Sequence, residues 1–199
     1  MNIGAHLARL SLVIAMGFAA AIAPANAAVI LFGTDLAPEA AGAAGSGSVL
    51  VAYDDAEHTV RITANWIGLT GVTTVAHIHC CTAVAGAGTV GVAVTPGTLP
   101  GFPIGVSTGT YVSPLIDLDD PASFTAAFLT GFGGGTTLGS INALLAGIDA
   151  GTAYFNIHSN TFPGGEIRGF LHKVPEPHTL GLMGLGLASL LLARRRRTW

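Results

Sequence analysis

Short apolar runs separated by turn residues dominate the middle of this sequence. Between residues 28 and 174 the runs are broken repeatedly by Gly, Pro, Asn and Asp, and most of the chain's 28 glycines lie there. Such punctuation is typical of antiparallel sandwiches and barrels. Val60, Ile62, Ala64 and Trp66 alternate with polar residues, which gives one apolar and one wet face. The pattern predicts an all-β domain.

The predicted strands follow from these apolar runs. One segment departs from the β pattern, because its apolar residues recur with a period near 3.6 between 137 and 148, and we predict one short helix there, near 138–147. Residues 80–109 are rich in Gly and Pro and read as a long excursion, partly ordered. The strands are predicted at 29–36, 48–53, 58–66, 73–79, 90–94, 111–118, 123–129, 153–158 and 166–172.

Residues 1–27 have the composition of a secretory signal peptide. His6 and Arg9 precede an apolar run at 10–22, and small residues end the segment. The run of 13 residues is shorter than the ~20 residues that span a bilayer, which argues against a permanent anchor. We expect signal peptidase to cut between Ala27 and Ala28 and the remainder to be exported.

Residues 175–199 combine a short motif, an apolar run and a basic cluster. The run at 180–193 would cover only about 21 Å as a helix, less than the ~30 Å hydrocarbon core. The arginines favour the cytoplasmic side, so the run would make transient contact with the inner membrane. The motif is Pro175, Glu176 and Pro177, and the cluster is Arg194, Arg195, Arg196 and Arg197.

This three-part tail resembles the PEP-CTERM sorting signal of Gram-negative bacteria. The resemblance implies that the precursor is held in the inner membrane and processed by an exosortase, a transpeptidase-like membrane protease. The mature protein would then reach the cell envelope, the cell surface or the extracellular space. An ordinary single-span tail anchor is the alternative interpretation.

Charge and motifs exclude several classes of function. Residues 28–174 hold three basic and ten acidic residues, a formal net charge of −7, so there is no basic face for nucleic acid. The segment has no nucleophile elbow, phosphate loop or dinucleotide fingerprint. Asp119 and Asp120 are adjacent, so in an extended segment they point to opposite faces and cannot act as a glycosidase pair. We therefore predict a non-catalytic protein.

A series of blocks along residues 29–172 resembles the CHRD domain, named from repeats in chordin. The resemblance implies an immunoglobulin-like antiparallel β-sandwich over 28–174, here with one short helix and hydrophobic helical targeting segments at both ends. The blocks are Glu39, Gly45-Ser46-Gly47, Val51-Ala52-Tyr53-Asp54, Trp66-Ile67-Gly68-Leu69, Ala76-His77-Ile78-His79, Tyr154-Phe155-Asn156-Ile157-His158 and Phe162-Pro163-Gly164-Gly165-Glu166-Ile167-Arg168-Gly169.

Polar side chains recur at every second position of three predicted strands. If these strands are neighbours, the groups converge on one face, which lies near the surface unless residues 80–109 cover it. A zinc or copper ion could be held by three imidazoles and a carboxylate. The other interpretation is a hydrogen-bonded ladder in which Arg168 pairs with Glu166 or with main-chain carbonyls. The metal set would be His77, His79, His158 and Glu166, and the ladder adds Asn156 and Arg168.

Cys80 and Cys81 are the only cysteines of the chain and directly follow His79. An exported protein meets an oxidising compartment, where free thiols seldom persist. Three states stay open from the sequence: a disulfide between the two neighbours, bridges to another molecule, and reduced or metal-bound thiols.

The sequence as a whole predicts an exported β-domain with a structural or adhesive role. The resemblances imply association with exopolysaccharide at the cell surface or in the extracellular matrix. The alternative is a secreted zinc or copper protein, or a metalloenzyme, centred on His77, His79 and His158.

Overall fold

The computed structural model describes residues 29–175, 184–186 and 189. All of its strand pairs are antiparallel, and its strands form one curled sheet. The all-β prediction is confirmed, while the immunoglobulin-like sandwich stays a prediction. The strands are β1 (Val29–Pro38), β2 (Ser46–Asp54), β3 (Thr59–Ile67), β4 (Thr73–His79), β5 (Val92–Val94), β6 (Gly109–Val112), β7 (Ile116–Asp117), β8 (Tyr154–Ser159), β9 (Ile167–Phe170) and β10 (His172–Lys173).

The strand order along the sheet is β5-β4-β8-β9-β1-β2-β3-β6, with β10 beside β1 and β7 beside β3. Strand β1 joins the two halves, because its first eight residues pair with β2 and its last two pair with β9. The half that contains β4, β8 and β9 carries the polar residues singled out by the sequence. These three strands are direct neighbours, as the convergence of those residues requires.

The core contains the apolar face of β3. Val60, Ile62, Ala64 and Trp66 are buried, and the residues between them are exposed or half-buried. The alternation therefore confirms the predicted facing of this strand, including the burial of Trp66. The ring of Trp66 stacks on Phe102 from the excursion, with centroids 5.2 Å apart.

Helix α2 (Thr137–Asp149) confirms the predicted helix. The hydroxyl of Thr136 caps its N-terminus by accepting from the Gly139 amide. Ile141, Leu144 and Ile148 are buried against the sheet, as the 3.6-residue period requires.

The predicted strand at 123–129 is wrong. A 3₁₀ turn (Pro121–Ser123) and helix α1 (Ala126–Gly131) replace it, with Thr125 as the cap of α1. The aromatic rings of Phe124, Phe128 and Phe132 stack in series at i, i+4 spacing. That spacing brings side chains together on a helix and would scatter them along a strand.

Two other predicted strands are shorter or divided in the structure. The segment 111–118 forms β6 and β7, separated by Pro114, which has no amide hydrogen for a sheet. Within 80–109 only β5 is a strand, and the remainder is irregular backbone that packs over the sheet.

The predicted signal peptide at 1–27 and nearly all of the tail at 175–199 lie outside the described residues. None of the described helices is long and apolar enough to cross a membrane.

Candidate metal centre

Three histidines meet on one face of the strand pair β4–β8. His77 and His79 lie two residues apart on β4, so their side chains leave the same face. His158 lies on β8, where it pairs with Val75, and Asn156 pairs with His77. Each imidazole is less than a tenth exposed. The register therefore brings together the three histidines that the sequence predicts.

The ring nitrogens of these histidines are close enough to share one ion. One nitrogen from each of His77, His79 and His158 lies within 4.8 Å of the others. The ring centroids are 5.2 to 6.0 Å apart. This is the one such cluster of potential ligands in the part of the chain that the structure describes.

The outward nitrogen of each ring donates to a backbone carbonyl. His77 Nε2 lies 2.8 Å from Gly97 O, and His79 Nδ1 lies 2.8 Å from Val90 O. His158 Nδ1 lies 2.7 Å from Pro163 O. A carbonyl can only accept, so each outward nitrogen carries the hydrogen and each inward nitrogen keeps its lone pair.

The excursion supplies two of these carbonyls and covers the polar face. Val90 and Gly97 both belong to residues 80–109, which the sequence could not assign. The third carbonyl comes from the turn after β8, at Pro163. Backbone carbonyls that hold the second nitrogen of each imidazole are the usual outer shell of histidine metal sites.

Burial favours the neutral form of His77 and His79. Desolvation lowers the pKa of His77 to about 4, against the opposing hydrogen bond to Gly97. Desolvation also lowers the pKa of His79, although the Val90 carbonyl and other neighbours oppose it in part. Neutral imidazole is the form that binds zinc and copper, so the lowered pKa of these two histidines favours metal binding over protonation.

A buried polar chain supports the cluster from the side of β9. Asn156 Nδ2 donates to Glu39 Oε1 over 3.1 Å, and Arg168 lies 3.4 Å from Glu39 Oε2. Arg168 also donates to Gly88 O and lies over the ring of Tyr154. Tyr154 in turn stacks on His79 with parallel rings, 4.7 Å between centroids. This series of polar contacts therefore reaches the three histidines through the ring of Tyr154.

Glu166 does not join the three histidines. Its buried carboxylate accepts from the amides of Thr70 and Gly71 in the turn between β3 and β4. Burial alone would raise its pKa, but hydrogen bonds from Ser159, Thr70 and Gly71 together outweigh that effect and lower it. The expected ion pair of Glu166 with Arg168 is replaced by the pair of Glu39 with Arg168, while the expected bond of Arg168 to a main-chain carbonyl is present.

Glu39 is the supporting residue that sequence reasoning missed. It follows β1 directly and is the only charged residue between Asp35 and Asp54; the sequence singled it out as the first block of the CHRD resemblance but gave it no place in the polar cluster. Its amide donates to the carbonyl of Glu166, and this bond ties the end of β1 to the start of β9. Burial raises its pKa, while the hydrogen bond from Asn156 and the charge of Arg168 act in the opposite direction.

Cys80 and Cys81 form a disulfide with each other, the first of the three states left open by the sequence. The two sulfurs press on helix α2 at Gly147, where an added Cβ would come within 2.3 Å of Cys80 Sγ. The disulfide therefore lies outside the cluster of His77, His79 and His158, although it begins one residue after His79.

Two family models match the chain, one over the domain and one over the tail. The family model of the CHRD domain matches residues 18–171, most of the chain. The chain belongs to the CHRD family. Its histidine cluster lies within the matched part, and the first matched residues fall in the predicted signal segment. No curated protein and no solved structure matches the chain.

A second family model, the PEP-CTERM protein-sorting motif, matches residues 173–197. This motif identifies the CHRD protein as an exported protein of the cell envelope or surface that an exosortase processes. The tail predicted from Pro175, Glu176, Pro177 and the terminal arginines is thereby confirmed.

Proposed function

We propose that the CHRD domain of this exported protein binds one zinc or copper ion through His77, His79 and His158. The observation that carries the proposal is the closeness of three ring nitrogens. Each outward nitrogen donates to a backbone carbonyl, so each ring keeps one lone pair, and the three rings offer nitrogens that lie within 4.8 Å of one another around a common point. A cation at that point would satisfy all three at once.

A hydrogen-bonded ladder explains the same contacts less well. His77 Nδ1 and His158 Nε2 lie 3.4 Å apart, and a hydrogen bond between them needs a proton on one of the two nitrogens. Both rings already donate their single hydrogen to a carbonyl. The extra proton would make an imidazolium, which burial disfavours at His77, where the pKa is about 4. As long as both rings are neutral, the two nitrogens present lone pairs to each other and cannot share a hydrogen bond.

Metal titration of the purified protein tests this proposal. The protein carries no polyhistidine tag and is dialysed into metal-free buffer before calorimetric titration with zinc and then with copper(II). We expect one ion per chain in the wild type, and loss of that ion in His77→Ala, His79→Ala and His158→Ala. Exposed His172 provides the matched control, and His172→Ala should bind like the wild type.

Thermal unfolding measures metal binding independently of calorimetry. An ion that binds only the folded chain at a hundredfold excess over its Kd stabilises it by about 2.7 kcal/mol. The melting temperature should therefore rise with metal in the wild type and in His172→Ala, but not in His77→Ala. An absence of stoichiometric binding, or equal losses in His77→Ala and His172→Ala, overturns the proposal.

At the level of the cell, we propose a non-catalytic structural or adhesive role in association with exopolysaccharide. Two observations support it: the sorting motif at 173–197 directs the chain to the envelope, and the sequence offers no nucleophile with an adjacent base. Fractionation of the host tests the role. The protein should be retained in the matrix of a strain that makes exopolysaccharide and released in a strain that does not.

Processing is tested on the same fractions by intact-mass measurement. We expect the surface form to begin near Ala28 and to lack Arg194 to Arg197. Neutral substitutions of these four arginines should weaken retention of the precursor, because the positive charge on the cytoplasmic side is lost. A surface form that retains the arginines contradicts removal of the tail.

A further inference from the structure

We propose that Asn156 supplies a fourth ligand through its side-chain oxygen, so that the metal site is closed. This inference rests on the metal site proposed above. Asn156 lies at the centre of the polar face: His77 is directly opposite on β4, and His158 is two residues along β8. Directly opposed residues have Cβ atoms about 4.5–5.5 Å apart, which places the Asn156 amide beside the imidazoles.

Two polar atoms in this cluster have no hydrogen-bond partner. Among the buried side-chain atoms that the structure describes, only Trp66 Nε1, His79 Nε2 and Asn156 Oδ1 are unpaired. Asn156 is 1% exposed, so solvent does not satisfy its oxygen. A buried polar atom without a partner is unfavourable, because it has given up its hydrogen bonds to water and gained none in return. Two such atoms in one cluster point to a missing common partner.

The nature of the two atoms indicates that this partner is a cation. His79 Nε2 carries a lone pair, because Nδ1 of the same ring holds the hydrogen that Val90 O accepts. Asn156 Oδ1 is also an acceptor. Asn156 lies close enough to raise the pKa of His79 as a hydrogen-bonding neighbour would, but the geometry leaves both Asn156 Oδ1 and His79 Nε2 without a hydrogen-bond partner. Two acceptors cannot bond each other, but both can bind a metal ion.

Glu39 fixes which end of the amide faces the histidines. Asn156 Nδ2 donates to Glu39 Oε1, and Arg168 holds the other oxygen of that carboxylate. Rotation of the amide by half a turn would place its oxygen against the carboxylate. Glu39 is therefore a positioning residue for Oδ1, of the kind that outer-shell groups provide in metal sites.

The number of protein ligands decides what the site can do. A zinc site with three protein ligands keeps a fourth position for water or substrate and is catalytic, whereas four protein ligands close it. Three imidazoles with one amide oxygen, and no thiolate or thioether, suit a divalent ion of the zinc type in a four-coordinate site. The proposal thus explains how a domain without catalytic motifs would use a metal: to tie β4 to β8.

Cobalt(II) provides the probe, because its visible spectrum reports coordination and zinc has none. The untagged protein is loaded with one equivalent of cobalt(II), and azide is then added. We expect the wild-type spectrum to stay unchanged, because a closed site leaves azide no position. Asn156→Ala should bind cobalt at least about tenfold more weakly, and its spectrum should shift on addition of azide.

Three further variants keep the test decisive. Asn156→Asp, made together with Glu39→Gln so that two carboxylates do not face each other, retains an oxygen ligand, and its cobalt spectrum should resist azide as the wild type does. Asn65→Ala removes an exposed amide on the opposite half of the sheet, where Asn65 donates to Ser48, and should change neither affinity nor spectrum. Glu39→Gln should weaken cobalt binding less than Asn156→Ala does.

The outcomes separate this inference from the metal site itself. If the wild type binds no stoichiometric cobalt or zinc, the proposed function fails. If it binds one ion that responds to azide, the three-histidine site stands and the fourth ligand is overturned. An Asn156→Ala variant with wild-type affinity and resistance to azide overturns the fourth ligand equally.

Discussion

Replacement of Trp66 by alanine is the sharpest test of the core. Trp66 ends the apolar face of β3 and is only 2% exposed. Its ring stacks on Phe102, and Gly109 of β6 lies directly under it. An added Cβ at Gly109 would come within 2.7 Å of the indole, so the glycine leaves room for the ring. Because Gly109 has no side chain, it cannot fill the space that the substitution opens.

The expected loss follows from burial and cavity formation. A buried aromatic residue replaced by alanine reduces the free energy of unfolding by about 3–5 kcal/mol. For a domain of this size the melting temperature should fall by roughly 6–20 °C. Trp66→Phe should be milder, about 2 kcal/mol or less, because the phenyl ring fills much of the space and the unpaired Nε1 hydrogen disappears.

Urea unfolding followed by far-UV circular dichroism measures these differences. The slope with urea should be the same in all variants, so that the midpoint alone reports stability. Ile67→Ala on the same strand is the control: Ile67 is 62% exposed, and the change should stay within about 0.5 kcal/mol. A loss below about 1 kcal/mol in Trp66→Ala would refute the assigned facing of β3.

Three further predictions concern residues close to the cluster of His77, His79 and His158. Gly165 has φ +125°, and an added Cβ would lie 1.6 Å from Glu39 Oε1, whereas an added Cβ at Gly164 would meet no atom. In urea titrations Gly165→Ala should therefore lower the free energy of unfolding by about 1–3 kcal/mol more than Gly164→Ala does. Arg168→Ala should lower the free energy of unfolding more than Glu39→Gln does, because it leaves the Glu39 carboxylate, which is 6% exposed, without its cation. Equal losses of unfolding free energy in the two variants would contradict a buried ion pair. The pKa of Glu166 is lowered in the folded state, so its contribution to stability is complete above about pH 4.5 and is lost as the pH falls through the pKa of the folded state. Glu166→Gln should therefore flatten the acidic part of the curve of unfolding free energy against pH. An unchanged curve would contradict the lowered pKa.

Local patterns in the sequence determined the fold class and much of its detail. Alternation along β3 fixed which residues are buried, because successive side chains of a strand point to opposite faces. The 3.6-residue period located α2 for the same kind of geometric reason. Residues 123–129 were misassigned because Phe124 and Phe128 suit either a strand or a helix, and the cap at Thr125 decided the outcome.

For the candidate site, the sequence determined which side chains share a face, and the tertiary structure decided which of them meet. The spacing of His77 and His79 makes their rings neighbours wherever β4 lies. Their encounter with His158 depends on the pairing of β4 with β8, which joins residues about eighty positions apart. Parity along a strand is local, whereas strand order depends on the packing of the whole chain.

The supporting contacts were beyond the reach of sequence reasoning for a related reason. Val90 and Gly97 act through backbone carbonyls, which every residue possesses, so no side-chain pattern marks them. Glu166 shares its predicted strand face with Arg168, but its carboxylate accepts hydrogen bonds from the amides of the turn after β3 and does not reach the histidines. Glu39 is remote in sequence and takes the place beside Arg168 because β1 crosses from one half of the sheet to the other.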